Sequence, residues 1–163
     1  MESGTAAALV TAASWCEANH VPYAVGGSAM LDLLGLNVEV ADIDLVMPGE
    51  ARSLLEAAPW PRLAPKAPSP LFNSDWLLRY DIGGTTVECI GSMRVLIDGR
   101  SRLVPWRGGG KGNIAGRELP LAPPGVWYHV YRAYRPERAD DLGELIGEQS
   151  IAAGARALGL ASG

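Results

Sequence analysis

Apolar and polar positions change period several times along the chain, and the changes divide it into elements. From Thr5 to Asn19, Leu9, Ala12, Ala13 and Cys16 recur at helical spacing and predict a helix, with Ser3 or Thr5 available as its cap. His20-Val21-Pro22 ends it, because proline disfavours helical geometry in the residue before it. Tyr23 to Val25 is a short apolar strand, Gly26-Gly27-Ser28 a turn, and a short helix then begins near Ser28 and stops at Gly35. Val40 to Met47 reads as a second strand, too apolar for a solvated edge, yet it carries two aspartates. Strand side chains alternate between faces. Asp42 and Asp44 therefore share one face, and Ala41, Ile43, Leu45 and Met47 pack on the other.

Beyond the Pro48-Gly49 turn, Glu50 to Ala58 has one apolar helical face. Prolines 59, 61, 65, 68 and 70 then exclude regular structure and predict a long surface loop, in which Trp60 either anchors to the core or stacks on a base. From Trp76 the period is that of strands: Trp76 to Ile82, a Gly83-Gly84 turn and Thr85 to Ile90. Gly91-Ser92 marks a bulge, and Met93 to Ile97 and Arg102 to Trp106 flank an Asp98-Gly99 turn, extending an antiparallel meander. Trp106 to Gly112 (W-R-G-G-G-K-G) lacks the register of a phosphate loop, since Gly112 rather than Ser or Thr follows Lys111. It reads as a loop tip, with a mobile Lys111 or Arg107 reaching a triphosphate as the alternative. Gly125 to Tyr134 is a helix, and another starts at Arg135-Pro136 and ends near Gly147. The pattern implies one α+β domain over 1–150, a mixed β-sheet with helices mainly on one face, and an Ala/Gly-rich tail over 151–163 that frays from Ala152.

Composition narrows the partners. The 163 residues are 48% hydrophobic, enough for a substantial core. No apolar run reaches the ~18 residues of a membrane span, and no secretory leader is visible. Cys16 and Cys89, both in apolar contexts, read as buried thiols in a reducing compartment, so a cytoplasmic location is expected. With only His20 and His129 besides, there is no zinc pattern. A net charge of −4 argues against non-specific DNA binding.

Chemistry concentrates between Gly26 and Asp44. Two carboxylates on one strand face start about 7 Å apart and can converge. Bare, they repel, and burial raises at least one pKa. A divalent cation removes that cost, and carboxylate oxygens suit Mg²⁺. Gly26, Gly27 and Ser28, between a strand and a helix start, present backbone N–H groups suited to phosphate, and a side chain at Gly27 would hold the phosphate away. Gly27-Ser28, a thirteen-residue spacer and Asp42-Ile43-Asp44-Leu45 together resemble the signature of the DNA polymerase β-like nucleotidyltransferase superfamily, in its small bacterial single-domain form. The segment Arg135-Pro136-Glu137-Arg138-Ala139-Asp140-Asp141-Leu142 is similar to an arm of its small bacterial members, matching at Arg135, Pro136, Asp141 and Leu142. Where relatives carry a basic residue and a threonine just before the paired acids, this chain has Asn37-Val38-Glu39-Val40.

The resemblance implies a nucleotidyltransferase fold and a third acid on a neighbouring strand. Glu88, in the β-rich Thr86 to Ile90, fits that place; Asp81, nearer a turn, is the alternative. It further implies Mg²⁺-dependent transfer of an NMP from an NTP to an acceptor hydroxyl on a small molecule, a protein or an RNA end. Two ions would be held by Asp42 and Asp44, with Glu88 on the one that meets the acceptor. The other expectation is a member that keeps the fold without turnover, acting as a nucleotide-binding module or as one partner of a toxin–antitoxin pair. The base and the acceptor are not legible in the residues.

Overall fold

The computed structural model describes residues 1–160. Its centre is a four-stranded sheet of β1 (Ala24–Gly26), β2 (Asp42–Met47), β3 (Trp76–Ile82) and β4 (Thr85–Gly91), in the order β1-β2-β4-β3. β2 runs antiparallel to β1 and parallel to β4, and β3 pairs antiparallel with β4, so the sheet is mixed and the fold α+β, as the pattern implies. The parallel β2–β4 pair needs a long crossover. The Pro-rich loop and β3 supply it.

Helix α1 (Ser3–Ala18) lies across the sheet face turned away from the aspartates. Its buried Leu9, Ala12, Ala13 and Cys16 meet a face built from Ile43, Leu45 and Met47 of β2, Val87 and Cys89 of β4, and Leu78 and Tyr80 of β3. Neither Ser3 nor Thr5 caps it. Glu2 occupies the cap position, with no side-chain cap bond. Trp60 is an anchor: its ring sits edge-on between Trp15 and Tyr80 at 5.3 and 5.6 Å. The short helix α2 (Gly27–Leu33) follows β1 directly. A 3-10 turn (Gly49–Ala51) runs into α3 (Arg52–Glu56), whose Leu55 carbonyl accepts a hydrogen bond from the Tyr80 hydroxyl.

Two hairpins flank the sheet instead of extending it. The first, β5 (Arg94–Ile97) and β6 (Arg100–Leu103), turns at Asp98-Gly99 as expected, but it forms a separate two-stranded sheet that ends before Trp106. The ladder ends after Gly91, which still pairs with Met47 and Trp76: the Trp76 indole lies where its side chain would be, and the backbone turns at Ser92 (φ 45°). The expected loop holds up to Gly110, but Lys111 and Gly112 open a second hairpin, β7 (Lys111–Ile114) and β8 (Arg117–Pro120), that the residues did not announce. Its strands alternate poorly, which is why periodicity misses it. Ala122 N–H donates to the Val25 carbonyl, so the hairpin's exit covers the outer edge of β1.

Helices α4 (Pro124–Tyr134) and α5 (Pro136–Ala157) form a close antiparallel pair. Gly125 and Gly154 touch through backbone, each lacking the Cβ that would meet the other helix at about 2 Å. α5 breaks at Gly147, whose φ of 76° and ψ of 169° separate two helical stretches. The break falls where the sequence ends the helix. The Ala/Gly-rich segment from Ala152 does not fray, however: it is helical to Ala157, because its small residues let it seat on α4 and Leu158 is buried. Residues 161–163 of the tail lie outside the described part. No helix among the described residues is long and apolar enough to cross a membrane.

Candidate active site

The acids converge because of strand register. Asp44 of β2 pairs with Glu88 of β4 in a parallel ladder, and in-register residues there point to the same face. Asp42, Asp44 and Glu88 thus line one cavity of about 410 Å³, on the face opposite α1, and Gly27 and Ser28 line it too. Asp81 does not. At the end of β3 its Oδ1 accepts the Gly84 N–H at 2.8 Å and closes the β3–β4 turn. Gly26 also stays out of the cavity: it makes room for the Trp127 indole, which a Cβ there would meet at 2.5 Å.

Gly27 has a nearer reason to be glycine than a phosphate. Its φ is +58°, and a Cβ there would fall 2.0 Å from Asp44 Oδ2. Any side chain at 27 would displace the Asp44 carboxylate before it met a ligand. A substitution at Gly27 therefore reports on Asp44 as much as on a phosphate cradle, contrary to the simpler expectation from sequence.

The acids differ in surroundings. Asp44 is partly covered but sits between two other carboxylates at the foot of the cavity. Burial first, then Asp42 and Glu88, push its pKa from 3.8 up to about 8, against the pull of Lys66 and Arg138. Glu88 is almost wholly buried, with 5% of its side chain exposed, and it is doubly paired. Arg79 Nε, opposite it on β3, donates to Oε1 at 3.0 Å, and Lys66 Nζ stands 2.5 Å from the same oxygen. Lys66 Nζ is also 3.8 Å from Asp42 Oδ2.

Sequence reasoning missed the far wall. Trp127, Tyr131 and Tyr134 of α4, with Arg135 and Arg138, face the acids across the cavity. Trp127 Nε1 and Tyr131 Oη are buried without hydrogen-bond partners. Burial, then Tyr134 and Asp44, hold the Tyr131 hydroxyl well above its usual pKa, so it stays a neutral donor. The Arg138 guanidinium lies 5.9 Å from the Tyr131 ring centroid. Arg135 and Arg138 fall in the arm that the sequence singles out; the aromatic residues had no signal beyond core-like spacing. Lys66 had one, as one of two lysines in the chain, alone in the Pro-rich loop. The other, Lys111, pairs with Glu118 at 2.9 Å on the β7–β8 hairpin, and Arg107 lies over the Trp106 ring. Neither lines the cavity, so the triphosphate-reaching alternative for that loop is not what the structure holds.

Three solved structures match the chain along most of its length. One, of the antibiotic-resistance factor ANT(2'')-Ia in solution, is similar with a TM-score of 0.65 and 19% identity, over 96% of this chain and 92% of that one. A crystal structure of ANT(2'')-Ia in complex with adenylyl-2''-tobramycin gives 0.57 and 18%, over 94% and 97%. A candidate nucleotidyltransferase of Thermotoga maritima gives 0.54 and 22%, over 83% and 88%. The chain has the nucleotidyltransferase fold. No family model matches it, and no curated protein does.

Within that fold the donor chemistry suits a hard divalent cation, since three carboxylates and no thiol or imidazole line the cavity. Among the described residues, no three acidic, histidine or cysteine side chains close on a point as they stand. The Lys66 ammonium stands between two of the acids, 2.5 Å from Glu88 and 3.8 Å from Asp42.

Proposed function

We propose that the chain is a Mg²⁺-dependent nucleotidyltransferase that moves an NMP from an NTP to an acceptor hydroxyl. One observation carries this reading: Asp42, Asp44 and Glu88, from two adjacent parallel strands, share a cavity with Gly27 and Ser28 in a nucleotidyltransferase fold. Asp42, Asp44 and Glu88 would hold the metal, and bound Mg²⁺ would supply charge stabilisation at the transferring phosphoryl group. Ser28, 6% exposed and on the cavity wall, offers its hydroxyl and backbone N–H to phosphate oxygens; Gly27 keeps the carboxylate of Asp44 in place beside them. Opposite, Arg135 and Arg138 bring cations and the neutral Tyr131 hydroxyl an O–H donor toward an anionic ligand. Glu88 is expected to hold the acceptor side of the site, oriented by Arg79. The complex of the similar ANT(2'')-Ia with adenylyl-2''-tobramycin makes an adenylyl group and a small-molecule acceptor the first pair to try.

The reading without turnover draws on one feature, the prior pairing of Glu88 with two cations. A single experiment separates the two. Each NTP is titrated with and without Mg²⁺ while thermal stability is followed, and pyrophosphate release is then measured across an acceptor panel. Transfer requires Mg²⁺-dependent stabilisation by one NTP and acceptor-dependent pyrophosphate. Stabilisation with no pyrophosphate from any acceptor would leave a nucleotide-binding module, the form in which a toxin–antitoxin partnership becomes the better account.

A further inference from the structure

Lys66 enters the acid site from outside the sheet. Its side chain is 45% exposed while its ammonium sits against Glu88, whose side chain is 5% exposed, and within 3.8 Å of Asp42. The loop that carries it is fixed on both sides. Upstream, Leu63 N–H donates to the Arg79 carbonyl at 2.9 Å, Asp81 N–H to the Pro61 carbonyl at 2.9 Å, and Arg79 Nη1 to the Ala64 carbonyl at 2.8 Å. Downstream, Ser69 Oγ accepts the Leu71 and Phe72 N–H groups, and Leu96 N–H donates to the Leu71 carbonyl. Between these anchors, Pro65 to Pro68 form an arch with no helix or strand. Its sequence, Pro-Lys-Ala-Pro, cannot join a ladder at either proline.

We propose that Lys66 is a resident counter-ion of the acid site, displaced when a divalent cation binds. The proposal rests on the nucleotidyltransferase reading for the identity of the cation as the site's metal. An ammonium offers one charge and three N–H donors to the same lone pairs a metal needs, so the two compete for Glu88 and Asp42. Arg79 does not compete in this way. It lies on β3 beside Glu88, with its Nε on Oε1 and its Nη1 tied to Ala64, and so keeps the carboxylate oriented after Lys66 leaves. In the metal-free chain Lys66 keeps Glu88 and Asp42 from repelling each other. Metal binding must detach it, and the arch is the only part of the loop that has to move.

The test measures Mn²⁺ binding to the full chain without nucleotide, from the free-ion signal in electron paramagnetic resonance, with Mg²⁺ as competitor. Lys66→Met keeps the stem length and removes the charge. It is expected to bind Mn²⁺ about 5- to 10-fold more tightly than the parent, while Lys66→Arg, which keeps a cation, stays near the parent. The melting temperature of metal-free Lys66→Met should fall and be restored by Mg²⁺ by a larger margin than in the parent. Equal or weaker Mn²⁺ binding in a folded Lys66→Met would overturn the proposal. If that occurs while the parent still binds Mn²⁺ and Asp42→Asn abolishes the binding, the function reading stands and this inference alone fails. If no variant binds Mn²⁺ even with NTP present, both fail.

Discussion

The two faces of the central sheet are made by the same strands and do opposite things. On one, Ile43, Leu45, Met47, Val87 and Cys89 are fully buried beneath α1, and burial pushes the Cys16 thiol up to about 12, leaving it a neutral apolar filler. On the other, Asp42, Asp44 and Glu88 stand in a cavity whose acids repel one another and are held by Lys66 and Arg79. Strand alternation lets one element serve both ends: in D-I-D-L, Ile43 and Leu45 build the core while Asp42 and Asp44 carry charge into the cavity. Stability is concentrated on the α1 face, and the acid face is kept at some cost to it. Substitutions on the two faces should therefore separate activity from stability.

The largest effect is expected at Asp44→Asn. If Asp44 holds the metal as proposed, transfer should fall at least about 1000-fold, or about 4 kcal/mol at 1.36 per decade. Folding should survive, since asparagine resembles the protonated acid in size and charge. Loss of fold rather than of turnover would erase the contrast between the faces. Leu45→Ala, one residue along and on the other side, should do the reverse. A buried leucine truncated to alanine costs about 2–5 kcal/mol of stability, read as a lower denaturation midpoint, with turnover per folded molecule unchanged. Glu88→Gln comes next: NTP binding is retained and transfer slows roughly 100-fold, about 2.7 kcal/mol. Unchanged turnover there would remove Glu88 from the acceptor side.

The smallest effect, pH dependence, carries a definite sign. Burial first, then Asp42 and Glu88, push the Asp44 pKa up to about 8 in the folded chain, from an ordinary value of 3.8. Between those values the folded state holds a proton that the unfolded state has released, so stability falls as pH rises through that window. The metal-free melting temperature should drop from pH 6 to pH 8.5, and Asp44→Asn should flatten the drop. Stabilisation by Mg²⁺ should grow over the same range, because the metal requires the ionised acid. An identical slope in Asp44→Asn would mean that other groups carry the dependence.

Much of this was legible in the residues alone. The alternation from Asp42 to Leu45 determined which side chains of β2 face the core, because a strand has only two faces; Val40 and Ala41, counted in the same run, lie before the strand, and Ala41 is exposed. The Gly-Gly-Ser turn and the proline after α1 placed β1 and α2, because glycine and proline act on their own backbone. The β7–β8 hairpin was not legible, since a short, mostly exposed pair has little apolar pattern to show. Nor was the helix beyond Ala152, whose small residues look unstructured until Gly125 and Gly154 bring two backbones together. At the site, residue type and spacing nominated Asp42, Asp44 and Glu88, but only the parallel register of β2 with β4 put Glu88 beside Asp44. The aromatic wall of α4, the collision that makes Gly27 a glycine, and the lodging of Lys66 between two acids were decided by tertiary structure alone. Each joins residues at least 17 positions apart along the chain, the closest being Gly27 with Asp44, and local propensity carries no information about which distant side chains will share a space.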